Sequence, residues 1–347
     1  MLSKVIQEEK VIATLKAIIK AEKIAIVTHK SPDGDAVGAS LGLCHFLTGQ
    51  DKAAIVITPD KAPDYLRFLP GVDDIVVFND NPEATAALIR DVDLLFCLDF
   101  NEWNRTGDMA ECLAECKAVK ILVDHHLNPT ADTSIRISHP EIGSTCELVF
   151  RLICRMGYFS EMSLPTANCI CAGMLTDTGG LAYNANSPEV YTIMAELLGK
   201  GVDKDDLYRR LFNTHSEARM RLMGAFLEKM ELIPSSHTAI TSFSHAELTS
   251  HGYKQGDTEG FVNLPLSIQG IFFSVYISER EGGVKLSFRS QGEFPCNRFA
   301  TELFGGGGHK NAAGGEYAGS IEEARQRILD ALPRYREAIE ANAALGF

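Results

Sequence analysis

The sequence has no excess of positive charge. Its 33 Lys and Arg residues face 46 Asp and Glu residues, which gives a formal net charge of −13 and a pI near 5.3. Proteins that coat long nucleic acids neutralise many phosphates with Lys and Arg. The composition therefore argues against binding of long nucleic acid through a basic surface. It is compatible with a small anionic substrate, provided that a metal ion supplies positive charge.

Membrane segments and paired cysteines are also lacking. No apolar run approaches the roughly 20 residues that a membrane helix needs, and residues 1–10 do not show the basic and then apolar regions of a signal peptide. The nine cysteines include no Cys-x-x-Cys pattern of a zinc or redox site. We therefore expect a cytoplasmic enzyme or binding protein with reduced thiols and no membrane partner.

Strand and helix patterns alternate over residues 24–126. Short apolar runs rich in β-branched residues predict strands, and segments with helical spacing lie between them. The predicted strands are 24–28, 53–58, 74–78, 92–98 and 120–123, and the predicted helices between them are 36–47 and 82–90. This alternation predicts an α/β fold with a mostly parallel N-terminal sheet flanked by helices.

The pattern changes near residue 235. Helices are predicted before it at 188–198, 203–212 and 217–232, and short strands after it at 238–243, 260–264, 271–277 and 284–288. We expect an N-terminal domain (1–187), a helical connector (188–234) and a smaller α/β C-terminal domain (235–347). The active site is expected in a cleft between the two domains.

Ionisable residues follow three predicted strands at the points where those strands end, and one more ends a later helix. They are His29, Asp33 and Asp35 after the first strand, Asp99 after another, Asp124, His125 and His126 after a third, and Asp177 at the helix end. In open parallel sheets, ligands bind at the carboxyl ends of the strands. These groups are therefore expected to converge on one edge of the sheet.

Clustered carboxylates repel one another unless a counter-charge is present, and metal ions are the usual counter-charge. Oxygen and nitrogen ligands without thiolate favour two Mn²⁺ ions, with Mg²⁺ or Co²⁺ as alternatives. Two such ions generate hydroxide at neutral pH and hold both the attacking and the leaving oxygen of a phosphoryl group. Taken singly, the residues have simpler explanations, because Pro32-Asp33-Gly34 is typical of a turn and a His-His pair is often only solvated. The coincidence at three strand ends favours the metal site.

A glycine cluster, Gly305–Gly308, precedes His309 and Lys310. Four glycines are typical of a flexible loop, but they can also present backbone N–H groups as a concave nest for an anion, to which His309 would add a donor. Arg289 is either a bidentate partner for a phosphate or an ordinary surface residue of a strand. The Gly-Lys-Ser/Thr ending of a P-loop is absent.

These motifs together resemble the DHH phosphoesterase superfamily with its DHH-associated C-terminal domain. The resemblance covers nearly the whole chain and is greatest to the nanoRNase and pAp-phosphatase subgroup. It rests on the ordered motifs His29-x-x-x-Asp33-x-Asp35, Asp99, Asp124-His125-His126, Thr176-Asp177-Thr178, Arg289-Ser290 and Gly305-Gly-Gly-Gly-His309.

The resemblance implies a role for each matched residue. The implied ligands of two Mn²⁺ ions are His29, Asp33, Asp35, Asp99, His125 and Asp177. Asp124 and His126 are implied to act in catalysis together with Asp99, with His126 facing the scissile phosphate. The implied substrate-binding residues are Arg289, Gly306, Gly307, Gly308 and His309.

Members of the subgroup hydrolyse short oligoribonucleotides, linear dinucleotides such as pApA and pGpG, and 3′-phosphoadenosine 5′-phosphate (pAp). The expected activity is therefore Mn²⁺-dependent hydrolysis of such substrates to nucleoside monophosphates, through attack by a hydroxide that bridges the two metals. Two alternatives remain open: an exopolyphosphatase or pyrophosphatase-like enzyme, and a non-catalytic sensor that binds nucleotide. A homodimer formed through the helices between the domains is a possible assembly.

Overall fold

A computed structural model describes residues 2–254 and 256–341. The chain divides into two compact units, Met1–Thr214 and His215–Phe347. Over the described residues, every helix is too short or too polar to cross a membrane. The last six residues of the predicted C-terminal domain, 342–347, lie outside the described part of the chain.

The first unit is built on a six-stranded sheet in which every pair of neighbouring strands is parallel, in the order β3-β2-β1-β4-β5-β6. The strands are β1 (Lys23–Val27), β2 (Ala53–Thr58), β3 (Val76–Val77), β4 (Leu94–Leu98), β5 (Val119–Asp124) and β6 (Ile135–Ser138). The helices are α1 (Glu8–Lys20), α2 (Gly34–Gly49), α3 (Pro82–Arg90), α4 (Ala110–Glu115), α5 (Thr145–Arg155), α6 (Leu164–Asp177), α7 (Pro188–Gly199) and α8 (Lys204–Phe212). The predicted α/β class and mostly parallel sheet are confirmed.

Both faces of this sheet are covered, which explains its short, mostly apolar strands. Along β1, Ile24 and Ile26 pack into a core with α1, α2, α5 and α6, whereas Ala25 and Val27 pack into a second core with α3 and α4. The strand order reverses between β1 and β4, because β2 and β3 lie on one side and β5 and β6 on the other. Sheets of this topology bind ligands beyond the carboxyl ends of the strands at such a reversal.

Helices α2 and α6 approach each other closely at a glycine. A Cβ atom at Gly38 would lie 2.6 Å from the carbonyl oxygen of Cys169 and 3.1 Å from the Sγ atom of Cys146. Because this contact involves backbone on the α6 side, the neighbour has little room to yield. The glycine thus lets the two helices pack at short range.

Replacement of Gly38 by Ala should therefore lower the free energy of unfolding by about 1 to 3 kcal/mol, through overpacking at the α2–α6 contact. Gly49, the last residue of α2, is the matched control because a Cβ there would meet nothing within 4 Å. Thermal unfolding of the two variants beside the wild type measures the difference. Equal midpoints for Gly38→Ala and Gly49→Ala would contradict this account of the interface.

The second unit contains a mixed six-stranded sheet in the order β11-β12-β10-β9-β8-β7, in which only β8 and β9 pair in parallel among the described strands. Its strands are β7 (Glu231–Ile233), β8 (Thr238–Phe243), β9 (Phe273–Arg280), β10 (Gly283–Ser290), β11 (Gly307–His309) and β12 (Ala312–Tyr317). Its helices are α9 (Glu217–Glu228), α10 (His245–Ser250), α11 (Cys296–Phe304) and α12 (Ile321–Glu340). Phe273, Phe288 and Phe299 fill the core between the sheet and α11 and α12.

Two local predictions were wrong, and a proline lies close to each. The strand predicted at 260–264 is part of a 3₁₀ helix, Phe261–Ser267, which contains Pro265, a residue that cannot donate to a ladder. The helix predicted at 217–232 ends at Glu228, and β7 follows it. Pro234 biases the residue before it toward extended backbone, which suits Ile233 in a strand paired with β8.

Other predicted boundaries also differ from those in the structure, because pairing with distant strands helps to decide where a strand forms. The strand predicted at 74–78 shrinks to Val76–Val77 between two 3₁₀ turns. Strands β6 and β12 were not predicted at all. Helices α7 and α8 belong to the first unit and α9 to the second, so the predicted connector range 188–234 is shared between them; the three-part division stays a prediction.

Candidate metal centre

The reversal point of the parallel sheet carries the ionisable residues. His29 follows β1, and Asp33 is the N-cap of α2, where its carboxylate accepts the N–H groups of Asp35 and Ala36 at 3.1 and 3.0 Å. Asp35 lies in the first turn of the same helix. The loop after β1 and the first turn of α2 thus present three side chains from a single stretch of seven residues.

These side chains form two groups with a common member. In the first, His29 Nε2 lies 3.4 Å from Asp99 Oδ2 and 3.9 Å from Asp33 Oδ2. In the second, His125 Nε2 lies 3.5 Å from Asp99 Oδ1, 3.5 Å from Asp177 Oδ2 and 3.9 Å from Asp35 Oδ2. Asp99 thus turns one oxygen toward each histidine. Six residues that the sequence predicted as ligands are brought together here.

Each of the two imidazoles has its tautomer set by a backbone carbonyl. His29 Nδ1 lies 2.9 Å from the Lys30 oxygen, and His125 Nδ1 lies 3.1 Å from the Ile142 oxygen. A carbonyl can only accept, so each Nδ1 carries the hydrogen and the neutral ring keeps its lone pair on Nε2. In the neutral form, both Nε2 atoms direct a lone pair toward carboxylate oxygens, an arrangement that a cation between them would stabilise.

One buried atom gives direct support for a cation. Nε2 of His29 is buried and has no hydrogen-bond partner among the described residues, although its ring is held in place through Nδ1. Carboxylate and imidazole donors of this kind bind divalent metals, and the second ring nitrogen of a metal-binding histidine ordinarily donates to a carbonyl or carboxylate. The residues present fit a metal ion.

The charges of the cluster require the same conclusion. Burial raises the pKa of Asp35 well above its usual value, and the negative charges of Asp99 and Asp177 raise it further. Burial also raises the pKa of Asp177 to about 7, despite the opposing effect of His125. Burial disfavours ionisation of Asp99 too, but the contact with His29 and the nearby charge of the other histidines hold its pKa below the usual value. Without metal, the cluster must take up protons.

Asp99 also has an unusual backbone. Its φ angle is +65°, in the left-handed region that residues other than Gly, Asn and Asp rarely adopt. Its N–H still donates to the Val123 oxygen at 3.1 Å, so the residue stays tied to β5 while its side chain turns into the cluster. Such backbone strain is often retained where a functional side chain must be aimed.

Asp124 and His126 form a separate pair at the end of β5. His126 Nδ1 lies 2.8 Å from Asp124 Oδ1, and Asp124 is fully buried. Since a carboxylate accepts, Nδ1 carries the hydrogen, and the ring is fixed with Nε2 as its other polar atom. His126 Nδ1 is also 3.8 Å from Asp99 Oδ1. The pair therefore borders the cluster.

Sequence reasoning predicted a helix at 144–156 but assigned no role in the site to its first turn. The backbone N–H groups of Thr145 and Cys146 donate to the Asp35 carboxylate, and the Thr145 hydroxyl donates to Asp99 Oδ1. The available signal was positional, because this helix starts just after β6, at the same edge of the sheet. Without β6 in the prediction, nothing pointed to that placement.

The predicted substrate residues lie in the second unit, on adjacent strands. Arg289 of β10 is directly opposite Ala312 of β12, which is directly opposite His309 of β11. Residues in one cross-strand row share a face, so the Arg289 and His309 side chains leave the same face with only a methyl group between them. Gly307 and Gly308 lie in strand β11 rather than in a flexible loop, and anion binding by the glycine cluster stays a prediction. Gly308 is required by close approach, since a Cβ would lie 2.4 Å from the Ala312 oxygen.

A parallel sheet with two carboxylate and histidine groups around one shared aspartate defines a class of metal-dependent hydrolases of phosphoester bonds. The model of the DHH family, N-terminal domain, matches residues 23–174, and that of the DHHA1 domain matches residues 239–337. The chain belongs to the DHH family and is a hydrolase that acts on phosphodiester or phosphomonoester bonds.

Three similar proteins illustrate the relationship. The bifunctional oligoribonuclease and PAP phosphatase NrnA of Thermus thermophilus is 32% identical over 89% of this chain and 89% of its own length. The protein of the same name from Bacillus subtilis is 24% identical over 91% of this chain and 96% of its own. The crystal structure of an exopolyphosphatase-related protein from Bacteroides fragilis is 49% identical, with a TM-score of 0.95, and covers 98% of this chain and 100% of its own.

Proposed function

We propose that the protein hydrolyses short oligoribonucleotides, linear dinucleotides such as pApA and pGpG, and pAp to nucleoside monophosphates, with two Mn²⁺ ions at its centre. The observation that carries the proposal is the shared Asp99 carboxylate, one oxygen of which faces His29 and the other His125. Two ligand groups joined by one carboxylate support a two-metal site. The names of the two NrnA relatives support the substrate class.

We assign the ligands by group. His29, Asp33 and Asp99 would hold one ion, and Asp35, His125 and Asp177 with Asp99 the other. The donor set contains no thiolate, which favours Mn²⁺, with Mg²⁺ or Co²⁺ as alternatives. When bound, the two ions would supply a hydroxide nucleophile at neutral pH and positive charge against the charge that develops on the phosphoryl group.

The remaining side chains of the site position the substrate and stabilise the transition state. Asp124 holds the His126 ring through Nδ1, so that Nε2 is directed at the scissile phosphate. With a second proton on Nε2, the ring donates to a phosphate oxygen and stabilises the transition-state charge. Arg289 and His309 bind the terminal phosphate or base of the substrate, and Gly306, Gly307 and Gly308 let the backbone approach it. A homodimer and a cytoplasmic location stay predictions.

Initial rates on a panel of pAp, pApA, pGpG, a five-residue RNA and polyphosphate test the substrate class. We expect nucleoside monophosphates from at least one of the RNA or dinucleotide substrates, or AMP from pAp, in the presence of Mn²⁺. Phosphate release from polyphosphate alone would assign the exopolyphosphatase alternative instead. Binding of pAp with no product from any substrate would support the sensor.

Metal addition should stabilise the folded protein, because ions relieve the repulsion among the buried carboxylates. A ligand present at 100 times its Kd adds about 2.7 kcal/mol, which corresponds to a rise of about 5 to 10 °C in Tm for a unit of this size. Chelator-treated protein scanned with and without Mn²⁺ at constant ionic strength measures the shift. An unchanged Tm for the wild type would argue against the metal centre, and the double variant Asp35→Asn, Asp177→Asn should respond less.

A further inference from the structure

The first turn of α5 makes three hydrogen bonds to carboxylates of the metal centre. The N–H groups of Thr145 and Cys146 donate to Asp35 Oδ2 and Oδ1 at 2.6 and 2.9 Å, and the Thr145 hydroxyl donates to Asp99 Oδ1 at 2.8 Å. Thr145 and Cys146 have no exposed surface, and Asp35 and Asp99 are buried. Water therefore does not replace these contacts.

The hydroxyl of Thr145 determines how the Asp99 carboxylate is turned. Its acceptor, Oδ1, is the oxygen that lies 3.5 Å from His125 Nε2, while Oδ2 lies 3.4 Å from His29 Nε2. The backbone of Asp99 is already fixed by its bond to Val123 and its positive φ angle. Rotations about the Cα–Cβ and Cβ–Cγ bonds remain, and the hydrogen bond from Thr145 restricts how the carboxylate is turned.

We propose that Thr145 is a positioning residue that holds the Asp99 carboxylate in the orientation that serves two metal ions at once. The inference rests on the proposed two-metal function. Without the hydroxyl, the carboxylate can rotate until both oxygens serve one ligand group, and the other group loses its shared ligand. The hydrogen bonds that orient metal ligands contribute to metal affinity in this way.

Thr145→Val is the direct test, because valine keeps the branched shape and the backbone N–H to Asp35 but has no hydroxyl. We expect about 10- to 100-fold weaker binding of at least one of two Mn²⁺ ions by isothermal titration. The visible absorption spectrum of the Co²⁺-loaded variant should also differ from that of the wild type. Thr145→Ser restores the donor and should bring both affinities back to within a few-fold.

Ser144→Ala is the matched control. Ser144 Oγ accepts the Glu147 N–H at 3.1 Å and caps the same helix without touching either carboxylate. The Ser144→Ala variant should therefore unfold at a lower temperature, while its Co²⁺ absorption spectrum stays that of the wild type. If Thr145→Val does not fold by circular dichroism, Thr145→Ala carries the same prediction, since it too keeps the N–H and removes the hydroxyl.

The outcomes separate the two proposals. Two ions bound with wild-type affinity by the hydroxyl-free variant would overturn the role of Thr145 and leave the metal centre standing. A wild-type protein that binds no second ion would overturn both. Failure of the wild type to cleave any nucleotide would count against the substrate class alone, because the titration uses metal without substrate.

Discussion

Asp99→Asn should lower kcat by about a thousandfold or more and should reduce the bound metal below two ions per chain. The amide keeps one oxygen but loses the negative charge and cannot present an anionic oxygen to both His29 and His125. Loss of metal-based charge stabilisation amounts to several kcal/mol, and about 4 kcal/mol corresponds to a factor of a thousand in rate. Turnover of pAp or a dinucleotide, together with metal content by mass spectrometry, measures both effects.

Asparagine is the right replacement because of the backbone at this position. Asn tolerates a φ angle of +65°, whereas Ala would add about 1 to 2 kcal/mol of strain. A loss of activity in the Ala variant could then come from lower stability rather than from the missing carboxylate. Asp51 supplies a matched control, since it is exposed and has a φ angle of +58°. Asp51→Asn should leave rate and metal content unchanged. Full activity of Asp99→Asn would remove the shared carboxylate from the proposed chemistry.

His126→Ala should lower kcat by about a hundred- to a thousandfold while two metal ions remain bound. We assign His126 to the phosphate rather than to a metal, so its loss removes one stabilising group from the transition state. KM should change much less than kcat. Steady-state kinetics on the preferred substrate and metal content of the same preparation distinguish this pattern from that of Asp99→Asn.

The partner of His126 provides a second constraint. Asp124 contacts Nδ1 of His126 at 2.8 Å, and if it acts through that ring, the variant Asp124→Asn, His126→Ala should be no slower than His126→Ala alone. His139→Ala is the matched control, because His139 also pairs with a carboxylate, Glu141, at 3.0 Å. Additive losses in the double variant would mean that Asp124 acts independently.

Strand ends could be predicted from the sequence because two local signals coincide there. A short apolar run such as Leu94–Leu98 marks a buried strand, and the charged residue directly after it, Asp99, does not continue the apolar pattern. The parallel arrangement then follows from alternation with helices, and it brings the strand ends to one edge. Most residues of the candidate metal centre can therefore be recognised from the local sequence. Long-range packing then brings them together.

Contacts that depend on pairing between distant segments could not be predicted. Thr145 reaches Asp99 across 46 positions of sequence, and its two neighbours in the chain, Ser144 and Cys146, are uncharged. Arg289 and His309 share a face only because β12, a strand of small residues that looked like loop, lies between them. Glycine and alanine give almost no periodic signal, so the cross-strand row became visible only in the structure.

The close contact of α2 and α6 has a consequence for how the centre tolerates change. Asp35 lies in the first turn of one helix and Asp177 ends the other, so their separation is set by the packing of the two helices rather than by the intervening connections. Surface loops elsewhere in the first unit can then vary in length over evolution without moving these two carboxylates. A substitution at Gly38, one helical turn after Asp35, would instead change the distance between the two carboxylates.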